Sequence, residues 1–438
     1  MIETITFYRV ILITFTIVIY HFTLRIHGMK FTASSFFSTF IGMFTMSFVF
    51  VHGLVPIYQA YFPYSLRLDE YSDYEVLESA LISGGYYICF SIGYILFSSI
   101  FHPSKSNHLV NLELKKVKLP LLVVVGTPVL ISLMFIFSLV TSMNVSELLV
   151  NRISLFRGLG GILLLSNLLI FIAAFYFLSF LEYNSRWDFF VFFVFFVIMI
   201  VVFTMIGSRN SLFIFLVFNL SVYCLVGKKI NIWKTMTYSG LFLVFFVLVG
   251  VFRVRLDSGV DDNLLTSISD NLVHSVISVF GTDEIITYLI KNDFSDWQYG
   301  TTFLASITNF VPRGIWAEKP LGAGPLLTNF INPGSYGLSM SNVSSYTTGI
   351  ISETYINFGY FGIFIVPFIH AFIGNLIVSI RSVGYFSLVM KAYLYVMFGF
   401  VIFYSEFLGM IARSIYVLLP IIALYFYFER KERFCRES

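Results

Sequence analysis

Residues 189–206 read FFVFFVFFVIMIVVFTMI, an unbroken apolar run about as long as a helix that crosses a bilayer. In hydrocarbon every backbone N–H and C=O group must be satisfied within the element, so this run predicts a transmembrane helix. Similar runs of about 20 residues recur along the chain. The 438 residues are 58% hydrophobic and only 12% charged, about half the charged share of a soluble globular domain. The composition therefore predicts an all-α polytopic membrane protein.

The apolar runs and their polar breaks predict about eleven spans. They start near residues 5, 31, 80, 119, 159, 187, 210, 233, 354, 386 and 411. The first eight would occupy residues 1–252, and the last three, with a basic tail, residues 353–438. Between them lies a long polar segment at 253–352, whose many aromatic residues predict short helices and ordered loops rather than a disordered tether.

Lysine and arginine concentrate in alternate connections of this topology, for example at Lys115 and Lys116, and in the tail at Arg430 and Lys431. Short connections rich in basic residues face the cytoplasm. The amino terminus and the segment 253–352 are therefore predicted to lie outside the cytoplasmic membrane, and the carboxyl terminus inside. The net charge of only +3 gives no reason to expect a nucleic-acid partner, and the partner that the composition indicates is the lipid bilayer.

Basic residues on the predicted outer face run against this bias and need another explanation. Arg209 stands in GSRNS at 207–211, where a helix amino terminus beside a guanidinium would bind an anion; a snorkelling arginine is the alternative. Arg253 leaves the eighth span, where anchoring at the membrane edge is the alternative to substrate binding. Arg413 begins the last span and could simply pair with Glu406, at the end of the span before it.

The richest stretch of the outer segment is FVPRGIWAEKP at 310–320, followed by the glycine-rich GAGP at 322–325. Its prolines restrict the backbone, while Arg313 and Lys319 supply two cations beside the aromatic ring of Trp316. This composition suits the binding of phosphate and sugar. The alternative is an ordinary surface loop in which neighbouring charges balance.

Candidate proton acceptors are Glu353 and His274. Glu353 opens the segment ETYINFGYFG at 353–362, where a carboxylate could act as a base or cap the helix. His274 is the only histidine of the outer segment and could transfer a proton, although a lone histidine is more often structural. Gly359 and Gly362 predict close helix packing. No ligand cluster predicts a metal, and no cofactor is expected.

Four short segments carry a resemblance to a known family. They are GSRNSL from 207, FVPRGIWAEKPLGAG from 310, ETYINFGYFG from 353 and GMIARS from 409. In this order, within a many-span chain that has one long late outer loop, they resemble the Wzy-type O-antigen or oligosaccharide repeat-unit polymerases. The similarity covers about a third of the chain.

The resemblance implies the fold of the multi-span glycosyltransferases that use lipid-linked donors, with metal-independent transfer at the outer face of the inner (cytoplasmic) membrane. The growing glycan would leave undecaprenyl pyrophosphate and join the terminal sugar of a new undecaprenyl-pyrophosphate-linked oligosaccharide. A flippase and a chain-length regulator are possible partners. By position in the motifs, the pyrophosphate would be held by Arg209, Arg313, Lys319 and Arg413, and the base would be Glu353 before His274.

Two other functions stay open on the sequence. An O-antigen ligase would cleave the same lipid pyrophosphate but use lipid A core as its acceptor. A transporter or flippase for the lipid-linked sugar would need polar residues along the mid-membrane path. The predicted spans are almost free of charge in their middles, with Arg9 and Lys391 as the near exceptions. This distribution favours an enzyme that works at one membrane face.

Overall fold

The computed structural model describes residues 2–62, 70–101, 114–141, 160–206, 209–231, 233, 277, 279–311, 314–335, 345–380 and 384–437. All regular structure within these ranges is helical. The α-helices are α1 (Ile2–Ile26), α2 (Ser35–Ser38), α3 (Phe40–Phe48), α4 (Val55–Tyr61), α5 (Asp73–Ser98), α6 (Leu114–Val124), α7 (Gly126–Thr141), α8 (Gly160–Leu165), α9 (Leu168–Tyr183), α10 (Arg186–Ile206), α11 (Arg209–Leu225), α12 (Asp283–Lys291), α13 (Thr301–Thr308), α14 (Ala323–Ile331), α15 (Gly349–Ser379), α16 (Gly384–Tyr395) and α17 (Phe407–Glu437).

Nine helical stretches of the described chain are long and apolar enough to cross a membrane. They are Ile2–Ile26, Phe40–Tyr61, Asp73–Ser98, Pro120–Ser138, Ile162–Tyr183, Arg186–Thr204, Gly349–Ser379, Phe386–Phe403 and Phe407–Leu424, and a shorter apolar helix covers Asn210–Leu225. The prediction of an all-α polytopic membrane protein is confirmed. The predicted eighth span, near residue 233, lies almost wholly outside the described residues, so the count of about eleven and the three-part division of the chain stay predictions.

A sharp bend at Gly359 divides α15 into two halves. This residue has φ 57° and ψ −144°, a backbone conformation that residues with a Cβ rarely adopt. A Cβ on Gly362 would lie 2.9 Å from the carbonyl oxygen of Thr354, so the second half packs directly against the first. The predicted close packing at the two glycines is confirmed. The bend brings the polar first half, residues 349–358, beside the membrane-crossing second half.

Two π-helical stretches interrupt the described spans, at Val49–Leu54 and Val396–Phe400. A π-turn shifts the backbone hydrogen-bonding pattern and frees carbonyl groups. In the second stretch the Phe398 carbonyl oxygen contacts His370 Nε2 of α15 over 2.7 Å, and His370 Nδ1 contacts the Tyr86 hydroxyl over 3.1 Å. The buried histidine thus has both ring nitrogens satisfied, and it joins α15 to α5 and to the irregular span.

The described part of the segment 253–352 contains three short helices, α12 to α14, as expected. Its loop at 298–300 forms backbone hydrogen bonds to the bend of α15, from Gln298 N to Ile356 O (3.1 Å) and from Tyr299 N to Asn357 O (2.9 Å). The Phe303 ring of α13 packs edge-on against the Phe407 ring, with centroids 5.1 Å apart. These contacts hold the segment on the bend of α15 and the start of α17.

Candidate active site

The carboxylate of Glu353 is fully buried where α13, α15 and α17 meet, and the side chain is 0% exposed. Thr302 Oγ1 donates to Glu353 Oε1 over 2.8 Å, and the backbone N–H of Phe407 donates to Oε2 over 3.0 Å. Asn357 Nδ2 donates to Thr302 Oγ1 over 2.6 Å and so fixes the first of these donors. Phe407 is the first residue of α17, an end where negative charge is favoured. The carboxylate therefore has one fixed orientation at the start of a neighbouring helix.

Glu406 is a second acidic side chain beside the first. Its Oε1 accepts a hydrogen bond from the N–H of Gly324 over 3.1 Å, at the amino terminus of α14. A Cβ on Gly322 would lie 1.9 Å from the same oxygen, so any larger residue would displace the Glu406 side chain from this position. The glycine-rich segment that the sequence associates with phosphate and sugar thus holds a carboxylate of the protein itself.

Glu406 and Glu353 are linked through Phe407. Glu406 immediately precedes Phe407 in the chain, and the backbone N–H of Phe407 donates to the Glu353 carboxylate. The Glu406 carboxylate repels that of Glu353. Neighbouring carboxyl groups withdrawn from water favour the state in which one is ionised and the other protonated. Such a pair can accept a proton at one group and donate one from the other.

Burial raises the pKa of Glu406 above the ordinary carboxyl value, and the Gly324 N–H, which stabilises the ionised form, opposes this only in part. The folded protein therefore binds this proton more tightly than the unfolded chain does. The stability that Glu406 contributes is complete below its unfolded-state pKa and is lost as the pH rises through its folded-state pKa. We expect the melting temperature of the purified protein to fall as the pH rises through this window.

The Glu406→Gln variant isolates this effect, since glutamine keeps an acceptor for Gly324 and cannot titrate. Melting curves of both proteins from acidic to alkaline pH should show a smaller alkaline loss of stability in the variant. Parallel curves across the whole pH range would contradict the assignment.

Arg413 lies about 9 Å along the axis of α17 from Phe407. Its Nε and Nη1 atoms are buried and have no hydrogen-bond partner among the described residues. The suggestion that Arg413 pairs with Glu406 is wrong, since that carboxylate instead accepts from Gly324. The Tyr404 hydroxyl lies near enough to interact electrostatically with the guanidinium, and it too is buried without a partner in the described chain. Unpaired donors inside a membrane span indicate a site for an anionic ligand.

The loop before Arg313 lies against α17, the helix that carries Arg413. The Phe310 ring packs on the Tyr416 ring at a centroid distance of 5.8 Å, and Tyr416 is one helical turn beyond Arg413. Lys319 folds back onto this loop and donates from Nζ to the carbonyl oxygens of Asn309 (3.1 Å) and Val311 (3.0 Å).

Trp316, in the same loop, keeps 40% of its surface exposed. Of the predicted binding residues in the described part of the loop, Lys319 shapes the backbone, while Trp316 presents a ring that a sugar could contact.

Arg209 is the first residue of α11. One turn later, Phe213 packs edge-on against Phe280 at 5.1 Å, and Phe280 in turn packs against Tyr404 at 4.7 Å. This end of α11 therefore adjoins the polar region around Tyr404 and Arg413. The Arg209 side chain, together with Arg253, His274 and Arg313, lies outside the described structure, and the roles of these residues stay predictions.

A second buried polar cluster, which the sequence did not predict, holds α12 in place. Arg9 of α1 pairs with Asp283, with Nη2 and Oδ2 2.6 Å apart, and also donates to Ser79 Oγ over 2.7 Å. His52 Nδ1 contacts the other Asp283 oxygen over 2.8 Å, while His52 Nε2 is buried without a partner in the described chain. The sequence contains one indication of this cluster. Arg9 is a cation within a predicted span, and a charge in that position needs a partner. Nothing in the sequence identified Asp283 as that partner.

Removing one charge of this pair is expected to be costly. In Asp283→Asn the Arg9 guanidinium stays buried without an ionised partner, which typically costs about 3–5 kcal/mol. We expect a large fall in melting temperature. The matched double variant Arg9→Met, Asp283→Leu removes both charges and should recover most of the lost stability. A single variant as stable as the wild type would refute a structural role for the pair.

Among the described residues, no group of three or more histidine, cysteine, aspartate or glutamate side chains is arranged to hold a metal ion. The described site is built from two carboxylates, hydroxyl groups and a guanidinium. Groups of these types are capable of proton transfer and anion binding.

Comparison with known proteins identifies the family. The model of the family described as O-antigen polysaccharide polymerase Wzy matches residues 1–431 of the 438-residue chain. No curated protein and no solved structure shows a significant match. Members of this family are membrane-embedded glycosyltransferases that polymerise lipid-linked oligosaccharide repeat units. Since the match covers almost the whole chain, the protein belongs to the O-antigen polysaccharide polymerase Wzy family.

Proposed function

We propose that this protein polymerises undecaprenyl-pyrophosphate-linked oligosaccharide repeat units into a surface polysaccharide, at the outer face of the cytoplasmic membrane and without a metal ion. The observation that carries the proposal is Arg413, whose Nε and Nη1 atoms are buried without a hydrogen-bond partner in the described chain, on the helix whose first residue contacts Glu353. The transfer of a glycan from a pyrophosphate requires an anion site and a proton acceptor near it. The family assignment favours this function over a ligase or a transporter.

In the proposed step, the terminal sugar of a new repeat unit supplies a hydroxyl group. Its oxygen forms a bond to the anomeric carbon of the growing glycan. The bond from that carbon to the pyrophosphate oxygen breaks, and undecaprenyl pyrophosphate leaves with the electron pair. The hydroxyl proton goes to the Glu353 carboxylate, with His274 as the alternative acceptor.

Negative charge accumulates on the pyrophosphate as the bond breaks, so a fixed guanidinium stabilises the transition state more than the ground state. Arg413 supplies this charge from α17. Arg209, Arg253, Arg313 and Lys319 are the further predicted contacts to the pyrophosphate or the sugar, and Trp316 offers an aromatic surface to a sugar ring. The contact between Phe310 and Tyr416 supports a shared site for the loop and α17.

The bias of basic residues supports the proposed orientation, with the amino terminus outside and the carboxyl terminus in the cytoplasm. The test replaces Cys89 and Cys224 by alanine, so that Cys435 alone reports the tail, and in a second variant without any native cysteine places Glu3→Cys near the amino terminus. Reaction with a membrane-impermeant thiol reagent in intact spheroplasts would then measure the orientation. Under this orientation the site opens on the face where a flippase delivers its lipid-linked units, and a chain-length regulator could contact the same face.

The direct test uses the purified full chain in liposomes with a synthetic undecaprenyl-pyrophosphate-linked repeat unit. The expected product is a ladder of glycans separated by one repeat unit, formed equally well in the presence of a chelator. A requirement for a divalent metal or a nucleotide sugar would overturn the proposal. So would movement of labelled lipid across the bilayer without any lengthening of the glycan.

A further inference from the structure

An apolar cavity of about 270 Å³ lies beside the candidate active site, between the two halves of α15 and the start of α17. Its lining includes Phe303, Phe358, Ile365, Ile369 and Phe407. An apolar cavity of about 150 Å³ holds a benzene-sized ligand, so this one has room for a branched hydrocarbon segment of more than five carbons. The proposed reaction assigns this cavity no role.

The cavity offers a ligand no hydrogen bond. Its one titratable lining residue is His370, and both ring nitrogens of that residue are already satisfied by Phe398 O and the Tyr86 hydroxyl. A sugar or a pyrophosphate placed here would lose its hydrogen bonds to water without replacement. The occupant must therefore be hydrocarbon.

One end of the cavity adjoins the candidate active site. Phe407 lines the cavity with its ring, while its backbone N–H donates to Glu353. Phe303 lines it as well and follows Thr302, which donates to the same carboxylate. The end of a hydrocarbon chain in the cavity would therefore lie next to residues that contact Glu353, the proposed proton acceptor.

The other side of the cavity reaches the outside of the helix bundle. Ile365 and Ile369, on the membrane-crossing half of α15, are 43% and 54% exposed although they also line the cavity. This exposed face of α15 is where a lipid chain from the bilayer would reach the cavity. A lipid whose head group is the reacting group would enter by this route, with its head directed toward Glu353.

We propose that this cavity binds the isoprene units of the lipid carrier that are closest to its pyrophosphate, and so aligns the reacting sugar with Glu353. The proposal rests on the proposed function, since it takes the donor to be a polyprenyl pyrophosphate. Methyl-branched isoprene units complement walls made of phenylalanine, isoleucine and valine side chains. Because the cavity binds the lipid near its head group, the binding of the carrier also fixes the orientation of the pyrophosphate leaving group.

The test uses the full chain in liposomes and a polyprenyl pyrophosphate that carries a photoreactive diazirine on its first isoprene unit. Labelled peptides are identified by mass spectrometry. We expect labels on the peptides that contain Phe303, Ile365 and Ile369, and we expect excess polyprenyl phosphate to displace them while phosphatidylglycerol does not. Labels confined to other helices, or equal displacement by phosphatidylglycerol, would refute the proposal.

A pair of matched variants sharpens the test. Ile369→Trp fills the cavity from its exposed side, and Ile131→Trp places the same bulk on α7, where Ile131 is 57% exposed and lines no part of the cavity. We expect about tenfold less labelling and about tenfold higher KM for the lipid-linked donor in Ile369→Trp alone. Equal melting temperatures of the two variants would show that the fold is intact. Unchanged labelling in Ile369→Trp would count against the cavity.

The outcomes separate this inference from the proposed function. A protein that forms the glycan ladder but carries its labels elsewhere would remove only the lipid site. A protein labelled in the cavity that forms no ladder would retain the lipid site and remove the polymerase mechanism.

Discussion

Replacing Glu353 by glutamine is expected to abolish polymer formation while the protein stays folded. A general base contributes typically about 10²–10⁴-fold to a rate, and an amide cannot take the proton of the acceptor hydroxyl. Glutamine has nearly the shape of glutamate. Its oxygen can still accept the N–H of Phe407, and its amino group can donate to Thr302 Oγ1, so both contacts of the buried side chain survive.

The measurement is the rate of ladder formation by Glu353→Gln in liposomes, compared with a melting curve of the same preparation. Glu182→Gln serves as the control, because Glu182 is an exposed carboxylate at the end of α9, far along the chain from the site. Wild-type ladder formation by Glu353→Gln would remove Glu353 as the base and leave His274 as the candidate. In that case the His274→Ala variant should show the loss instead.

Replacing Arg413 by alanine is expected to lower the rate by about 10²–10³-fold, the usual cost of removing one donor that stabilises a developing negative charge. The Arg413→Lys variant should recover only part of this loss, since an ammonium group has neither the planar fork nor the reach of a guanidinium. In the described structure the Arg413 nitrogens Nε and Nη1 donate no hydrogen bond to the protein itself. The free energy of unfolding should therefore stay constant or rise in Arg413→Ala.

This combination of lower activity and unchanged or higher stability distinguishes a ligand-binding arginine from a structural one. Arg25→Ala, at an exposed arginine in the last turn of α1, is the control, and it should alter neither quantity. A destabilised Arg413→Ala protein that retains its polymerising rate would show that Arg413 is structural. The pyrophosphate site would then have to be built from Arg209 and the outer loop.

The membrane-spanning helices were predictable because hydrophobicity is a local property. A run such as 189–206 must form a helix in hydrocarbon whatever its neighbours are. Local chemistry also explains the start of α5, where Ser72 and Glu75 form a capping box. The predicted packing role of Gly359 depended only on its lack of a side chain, and the bend of α15 confirmed it.

The candidate site was predictable only in part. Glu353 and Arg413 stood out because charged residues at span ends are few. The partner of Glu406 was misjudged, because nearness in sequence suggested Arg413 while the folded chain brings Gly324 to that carboxylate. Arg9 was noted as a cation in a span, but its partner Asp283 lies 274 residues further along the chain. A single sequence contains no signal for a contact over that distance.

By itself, the sequence determined that this protein is a bundle of membrane-crossing helices and that its charges lie mostly at the ends of the spans and not in their middles. Both conclusions follow from the cost of placing polar groups in hydrocarbon, which each segment pays independently of the others. Only the tertiary structure decided which charges meet. It placed Glu406 near Glu353, left Nε and Nη1 of Arg413 without a partner in the described chain, and formed an apolar cavity beside Glu353. These features depend on how helices far apart in sequence pack, and packing is a property of the whole bundle.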